Sequence, residues 1–182
     1  MKVALHTCCG PCASACVPRL KEGGHDVTML FANSNIDTAE EFERRRREAE
    51  RLAEADGVPF VALKYDHGDW LEKVAAGHES DPEKGARFKM CFRYSLPKAA
   101  EFAAERGLDA FTTSLTVSPH KVSKMVFAAG ERAAGEHGGA VFLAEDFKKR
   151  DGFGISVRRA AELGLYRQSY CGCEYSRREA GK

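Results

Sequence analysis

No stretch of this 182-residue chain is apolar over anything near the roughly 20 residues that cross a bilayer. Charge of one sign is missing too. The 28 Lys and Arg stand against 27 Asp and Glu, a net charge of +1, so the chain as a whole is no polycation. There is no internal repeat, low-complexity tract or linker, and the length suits one domain over residues 1–182 with a sizeable core. The opening MKVALHTCCG turns polar too soon for a signal peptide, which makes the cytoplasm the expected compartment. A complete set of internal disulfides is impossible because the cysteines number seven. In a compartment that keeps thiols reduced, seven cysteines point to metal or redox work.

Strand and helix patterns alternate along the chain. Apolar segments at Lys2–Thr7, Asp26–Ala32, Val58–Tyr65, Asp109–Thr116 and Ala140–Glu145 read as five strands. Between them lie helical patterns. The first carries Pro11 in its first turn and ends at Gly23-Gly24. The second is capped by Asp37 or Thr38, has Glu40 and Glu41 at capping-box spacing, and closes at Gly57. A short helix is expected around Trp70–Ala76, and another after Cys91. A further helix has Ser118-Pro119 as cap and first position, and a last one covers Ile155–Leu163. Helical crossovers between strands imply an α/β fold, a three-layer α/β/α sandwich with a mostly parallel five-stranded sheet. In such a fold the site lies beyond the carboxyl ends of the strands, where the strand order reverses. The loops CCGPC, SPHK and DFKKRDG should meet there.

The cysteines fall in groups of three (Cys8, Cys9, Cys12), one (Cys91) and two (Cys171, Cys173), with Cys16 apart. A dithiol redox motif needs only one C-x-x-C pair. Structural zinc favours two knuckles of two. An iron–sulfur cluster takes four thiolates from scattered segments, and six would leave two for a second metal or for redox chemistry. Spacing alone leaves iron–sulfur, zinc and dithiol chemistry all open. Cys16 lies one helical turn after Cys12, flanked by Val17 and Leu20, and reads as a small buried hydrophobe. Clustered thiolates need positive partners. The helix N-termini expected at Pro11 and Pro119, with Lys121, Lys148 and Arg167, could supply them. The run Arg44 to Arg47 sits among glutamates and reads as a solvated helix face.

HTCCGPC, FANSNI, GLDAFTTSLTVSPHK, DFKKRDG and LYRQSYCGC together resemble the cobalamin-independent epoxyqueuosine reductase family, from Leu5 to Ser176. The resemblance implies a Rossmann-like domain of the adenine nucleotide α-hydrolase kind. It implies reduction of epoxyqueuosine to queuosine, an epoxide to an alkene, at the wobble position of tRNA. It also implies a [4Fe-4S] cluster, with an additional mononuclear iron beside it, on Cys8, Cys9, Cys12, Cys91, Cys171 and Cys173. The reaction needs an electron donor such as a ferredoxin or flavodoxin, and a tRNA anticodon loop with its wobble base splayed out. Asp146, after the fifth strand, and Asp66, after the third, are candidates to complete a metal shell. His120 and His6 are candidate proton donors, with His6 in a core strand pattern. Arg87, Lys89, Arg93, Lys121, Lys124 and Lys148 are candidate phosphate contacts, and Phe88, Phe92 or Tyr170 could stack on a base. Two rivals stand beside this reading. A PP-loop tRNA thiolase with a cluster would need a glycine- and serine-rich phosphate loop where CCGPC offers only Gly10. A zinc-stabilised RNA-binding module is the other.

Overall fold

Strands β1 to β5 are Lys2–His6, Asp26–Phe31, Phe60–Ala62, Ala110–Thr113 and Val141–Phe142 in the computed structural model, which describes residues 1–82 and 84–181. They form one sheet of order β3-β2-β1-β4-β5 with every pairing parallel. From β1 the chain winds outward to β2 and β3, then returns to place β4 on the other side of β1. The strand order therefore reverses between β1 and β4. Val3, Ala4, Leu5 and His6 are all buried, as is every residue of β4, because helices cover both faces.

The helices are α1 (Gly10–Glu22), α2 (Ala39–Asp56), α3 (His67–Trp70), α4 (Ala86–Glu105), α5 (Ser123–His137), α6 (Gly152–Glu162) and α7 (Glu174–Glu179). A five-residue π turn, Leu71–Ala75, extends α3, and a 3₁₀ turn, Ser114–Val117, follows β4. Alternate strand residues feed opposite layers. Leu5, Met29 and Phe31 pack with Cys16, Val17 and Leu52 of α1 and α2 and with Ala160 of α6. Ala4, Leu30 and Phe111 pack with Phe92, Leu96 and Val126 of α4 and α5. A third, smaller cluster joins Trp70 and Val74 to Cys173, with Cys91 and Tyr175 at its edge.

Locally encoded features fall where the sequence puts them. The Thr38 hydroxyl accepts from the Glu41 amide at 3.1 Å, and Gly57 ends α2 in the left-handed region at φ 63°. Four expectations change. β3 and β5 are shorter than their apolar patterns, because both are edge strands and only three and two of their residues pair with a neighbour. α4 starts at Ala86, so Cys91 lies inside the helix rather than before it; Phe88, Phe92 and Leu96 extend one apolar stripe back past the cysteine. α5 starts at Ser123, not at Pro119. There Lys148 Nζ donates to the Lys121 carbonyl and to Ser123 Oγ, both at 2.8 Å, and holds the intervening residues in turns. The cysteine-bearing tail also contains a helix of its own, α7. Among the described residues no helix is long and apolar enough to cross a membrane.

Candidate functional site

β1 delivers the chain to the point where the strand order reverses, and the next turn is built of sulfur. Cys9 is the extended N-cap of α1, and its Sγ accepts from the Cys12 amide at 3.5 Å. Gly10 is required by packing: a Cβ there would lie 2.8 Å from the Glu48 carbonyl oxygen of α2. Pro11 costs nothing in the first turn, where no amide is needed. Ser114, just past β4, accepts from the Cys8 amide at 3.0 Å and donates to Cys8 Sγ at 3.2 Å. The three sulfurs of Cys8, Cys9 and Cys12 all lie within 4.8 Å of one another. Hydrogen bonds from the Cys12 and Cys8 thiols hold Cys9 well below the usual thiol range. Cys12, half-buried, gives hydrogen bonds to Cys8 and Cys9 and is pushed well above it. Such a trio shares protons until a cation displaces them.

Three further cysteines line the same cavity from distant parts of the chain. Cys91 comes from α4, Cys171 from the loop after Tyr170, and Cys173 from the N-cap of α7, where its Sγ accepts from the Ser176 amide at 3.5 Å. Burial pushes the Cys91 thiol up to about 12, with Cys171 adding to the effect. Burial also raises Cys173. Lys121, only 8% exposed, donates to Cys171 Sγ at 2.9 Å while its ammonium sits 3.9 Å from the centre of the Phe88 ring. Burial alone would lower its pKa, but Cys171, Cys91 and Cys8 together raise it. All six of these cysteines line one cavity of about 460 Å³. Cys16 does not. It is fully buried among Val17, Met29 and Phe31, as the sequence reading expects of it.

The remaining candidates divide. His120 lines the cavity at an exposed position. His6 lines it too, but as a core residue 2.9 Å from Thr113 Oγ1, where burial lowers its pKa to about 4 and keeps it neutral. Asp66 is not brought to the cavity, because its Oδ1 caps α3 by accepting from the Asp69 amide at 3.0 Å. Asp146 is not either: it follows an edge strand, and its Oδ1 accepts from the Lys148 amide at 3.3 Å. Of the expected phosphate contacts, Lys89, Arg93 and Lys124 are exposed. Arg87 is buried, donating to the His78 carbonyl at 2.7 Å, and Lys148 is held at the start of α5. Lys121 faces sulfur rather than solvent. Phe88, Phe92 and Tyr170 all line the cavity, Phe92 from the core. SPHK reaches the cavity with Ser118, His120 and Lys121, whereas DFKKRDG contributes none of its own residues and only the adjoining Phe153 lines it.

Three residues that pattern reading passed over belong here. Trp70 lines the cavity from α3, and Phe153, 39% exposed, stands on its rim beneath Arg167. Arg45 of α2 is 1% exposed and donates from Nη1 to the Cys171 carbonyl at 2.8 Å, so the arginine run is not wholly a solvated face. Its signal was present: Arg45 shares the buried stripe of Phe42, Ala49 and Leu52.

The sequence profile of the family described as "Epoxyqueuosine reductase QueH" matches residues 3–179. The epoxyqueuosine reductase QueH of Histophilus somni is 35% identical over 181 residues, which are 100% of this chain and 74% of that one. Among solved structures, a "predicted subunit of tRNA methyltransferase" from Methanocaldococcus jannaschii aligns with a TM-score of 0.59 at 16% identity, over 89% of this chain and 75% of that one. The U34-tRNA thiolase NcsA from Methanococcus maripaludis, solved with its [4Fe-4S] cluster, aligns with a TM-score of 0.52 at 13% identity, over 99% of this chain and 64% of that one. At such identities the likeness shows the fold, a Rossmann-like sandwich of the adenine nucleotide α-hydrolase kind. The profile match over nearly the whole chain goes further: this chain belongs to the epoxyqueuosine reductase QueH family of oxidoreductases.

Proposed function

We propose that this chain, working as a single domain in the cytoplasm, reduces epoxyqueuosine to queuosine in tRNA. Its cofactor is an iron–sulfur cluster with an adjacent iron, held by Cys8, Cys9, Cys12, Cys91, Cys171 and Cys173. One observation carries the reading: six cysteines from three distant parts of the chain line one cavity, and the seventh does not. The donor set fits the group. It is all sulfur, with Cys9 and Cys173 buried and the other four half-buried, and exceeds the four ligands of one cluster by two.

Breaking both C–O bonds of the epoxide and releasing its oxygen as water takes two electrons and two protons. When bound, an iron–sulfur cluster supplies single electrons, and an iron with an open position polarises an oxygen as a Lewis acid. The chain's own residues do the rest. Lys121 and the N-terminus of α1 offset the negative charge of the thiolates. Phe88 and Phe92 wall the cavity with apolar surface and limit water. His120, at an exposed position on the lining, can carry a proton to the departing oxygen. Lys89, Arg93 and Lys124 are the exposed cations that neighbour the lining residues of α4 and the loop before α5, and they suit tRNA phosphates. A ferredoxin or flavodoxin would supply the electrons.

The test is anaerobic purification with iron, zinc and acid-labile sulfide counts, then turnover of epoxyqueuosine-containing tRNA with a strong reductant. About four sulfides with four to five irons are expected, and the product nucleoside should lose one oxygen without ATP or cobalamin. Zinc without sulfide would point to the RNA-binding module. ATP-dependent sulfur insertion would point to a thiolase.

A further inference from the structure

One side of the charged run of α2 is a docking rail, while Arg46 and Arg47 face Glu43 and Glu50 on the other. Glu41, the adjacent Arg44 and Arg45, Glu48 and Arg51 follow one another at steps of three or four residues along one side of the helix. Each meets the C-terminal segment. Arg51 donates to the Leu163 carbonyl at 3.2 Å. Glu48 accepts from the Tyr166 amide at 2.9 Å, and the Arg44 guanidinium lies 3.5 Å from the centre of the Tyr166 ring. Glu41 accepts from the Tyr166 hydroxyl at 3.2 Å. Arg45 reaches the Cys171 carbonyl at 2.8 Å. Just before the helix, Asp37 donates its amide to the Gly172 carbonyl at 2.9 Å, accepts from the Tyr170 hydroxyl at 3.2 Å, and pairs with Arg177 at 3.1 Å.

We propose that Arg45 is a positioning residue: through the Cys171 carbonyl it sets Cys171 and Cys173 in the cavity that the cysteines of the first turn also line. Burying a guanidinium is costly unless its charge and its donors are satisfied. Arg45 is 1% exposed, and only part of that cost is met within α2, by the 2.7 Å bond from Nε to Glu41. The remaining contacts are to the cysteine loop, the Nη1 bond to Cys171 and the Tyr170 ring 4.9 Å from the guanidinium, while Nη2 is buried without a partner among the described residues. The planar fork explains why arginine and not lysine stands here, since two directions must be served at once. The loop is fitted to it. Gly172 has φ 152°, and a Cβ there would lie 2.9 Å from Asn35 Nδ2 and 3.3 Å from Arg45 Nη1. The functional consequence rests on the proposed role of Cys171 and Cys173 as ligands, but the positioning itself does not.

Cys16 provides an internal reference, because it is fully buried and outside the cavity. Protein purified anaerobically would be treated with iodoacetamide and each cysteine's labelling rate read by peptide mass spectrometry. In Arg45→Met, labelling of Cys171 and Cys173 relative to Cys8, Cys9 and Cys12 should rise about tenfold, the factor in local opening expected for one lost charge-assisted hydrogen bond. Cys16 should stay unlabelled. Gly172→Ala, which pushes the loop off Arg45 and leaves α2 intact, should give the same pattern. Arg47→Met, on the exposed side of the same helix, should not. An unchanged ratio in both Arg45→Met and Gly172→Ala overturns the proposal. If Arg45→Met labels Cys16 as well, the fold has opened and Gly172→Ala alone decides. A wild type without iron or sulfide would sink the functional reading, while the labelling ratio on that metal-free protein would still decide the role of Arg45.

Discussion

Lys121 and Lys124 stand three residues apart and should behave as opposites. Lys121 is buried with its ammonium 2.9 Å from Cys171 Sγ. Replacing it with Met leaves the thiolates without their nearest cation, so iron and sulfide per chain should fall well below wild type. Lys124 is exposed at the start of α5. Lys124→Glu should keep iron and sulfide, weaken tRNA binding, and reduce the slope of log affinity against log salt by about one or two, because phosphate contacts release counterions. Filter binding across a potassium chloride series would read this; an unaltered slope would move the RNA surface elsewhere. The cysteines give a matching contrast. Cys16 Sγ lies 3.5 Å from the Cys12 carbonyl, an acceptor that a serine hydroxyl could also use. Cys16→Ser should therefore retain iron and lose at most about 1–2 kcal/mol of stability. Cys91→Ser should lose activity and cofactor even where its thermal midpoint is close to wild type.

At the level of elements, the site depends on helices held at fixed distances from the sheet. α5 carries Gly130 against β5, where an added Cβ would fall 2.5 Å from the Phe142 ring. Phe142 in turn packs on Phe111 with ring centres 5.2 Å apart. Gly130→Ala should destabilise the fold by about 1–3 kcal/mol, the usual cost of overpacking, seen as a lower denaturant midpoint. The cavity is lined on that side from α4 and the loop before α5, so the variant should keep its iron below the transition. α2 illustrates the same principle in polar form, because its row of charges fixes where the C-terminal segment lies.

For the whole molecule, the sheet and its two helical layers are complete by Leu165, since both large clusters are drawn from residues up to that point. The tail beyond Leu165 supplies Cys171, Cys173 and the cover of the third cluster. A chain ending after Arg167 should thus retain far-UV helix signal and cooperative unfolding. It should bind no labile sulfide and expose Trp70, giving a red-shifted emission spectrum. Loss of all cooperative structure would mean that the tail is part of the folding core.

The sequence by itself determined what is local. The Thr38 cap, the Gly57 stop, the place of β1 and the sulfur-rich start of α1 are all set by neighbours a few residues apart, and they lie where the pattern puts them. The motif pattern was also enough to point to the family. Only the tertiary structure decided the rest, because the deciding contacts span most of the chain. Arg45 looks like one more surface arginine until Cys171, 126 residues later, comes to it. Lys121 reads equally as a phosphate contact or as a cation for the thiolates until Cys171 turns it inward. Asp146 ends a strand pattern well placed for a ligand, but that strand lies at the sheet's edge, away from the reversal between β1 and β4. Spacing showed three cysteines, then one, then two; the fold brought all six to the lining of one cavity, because the reversal point gathers α1, α4 and the tail at the same edge of the sheet.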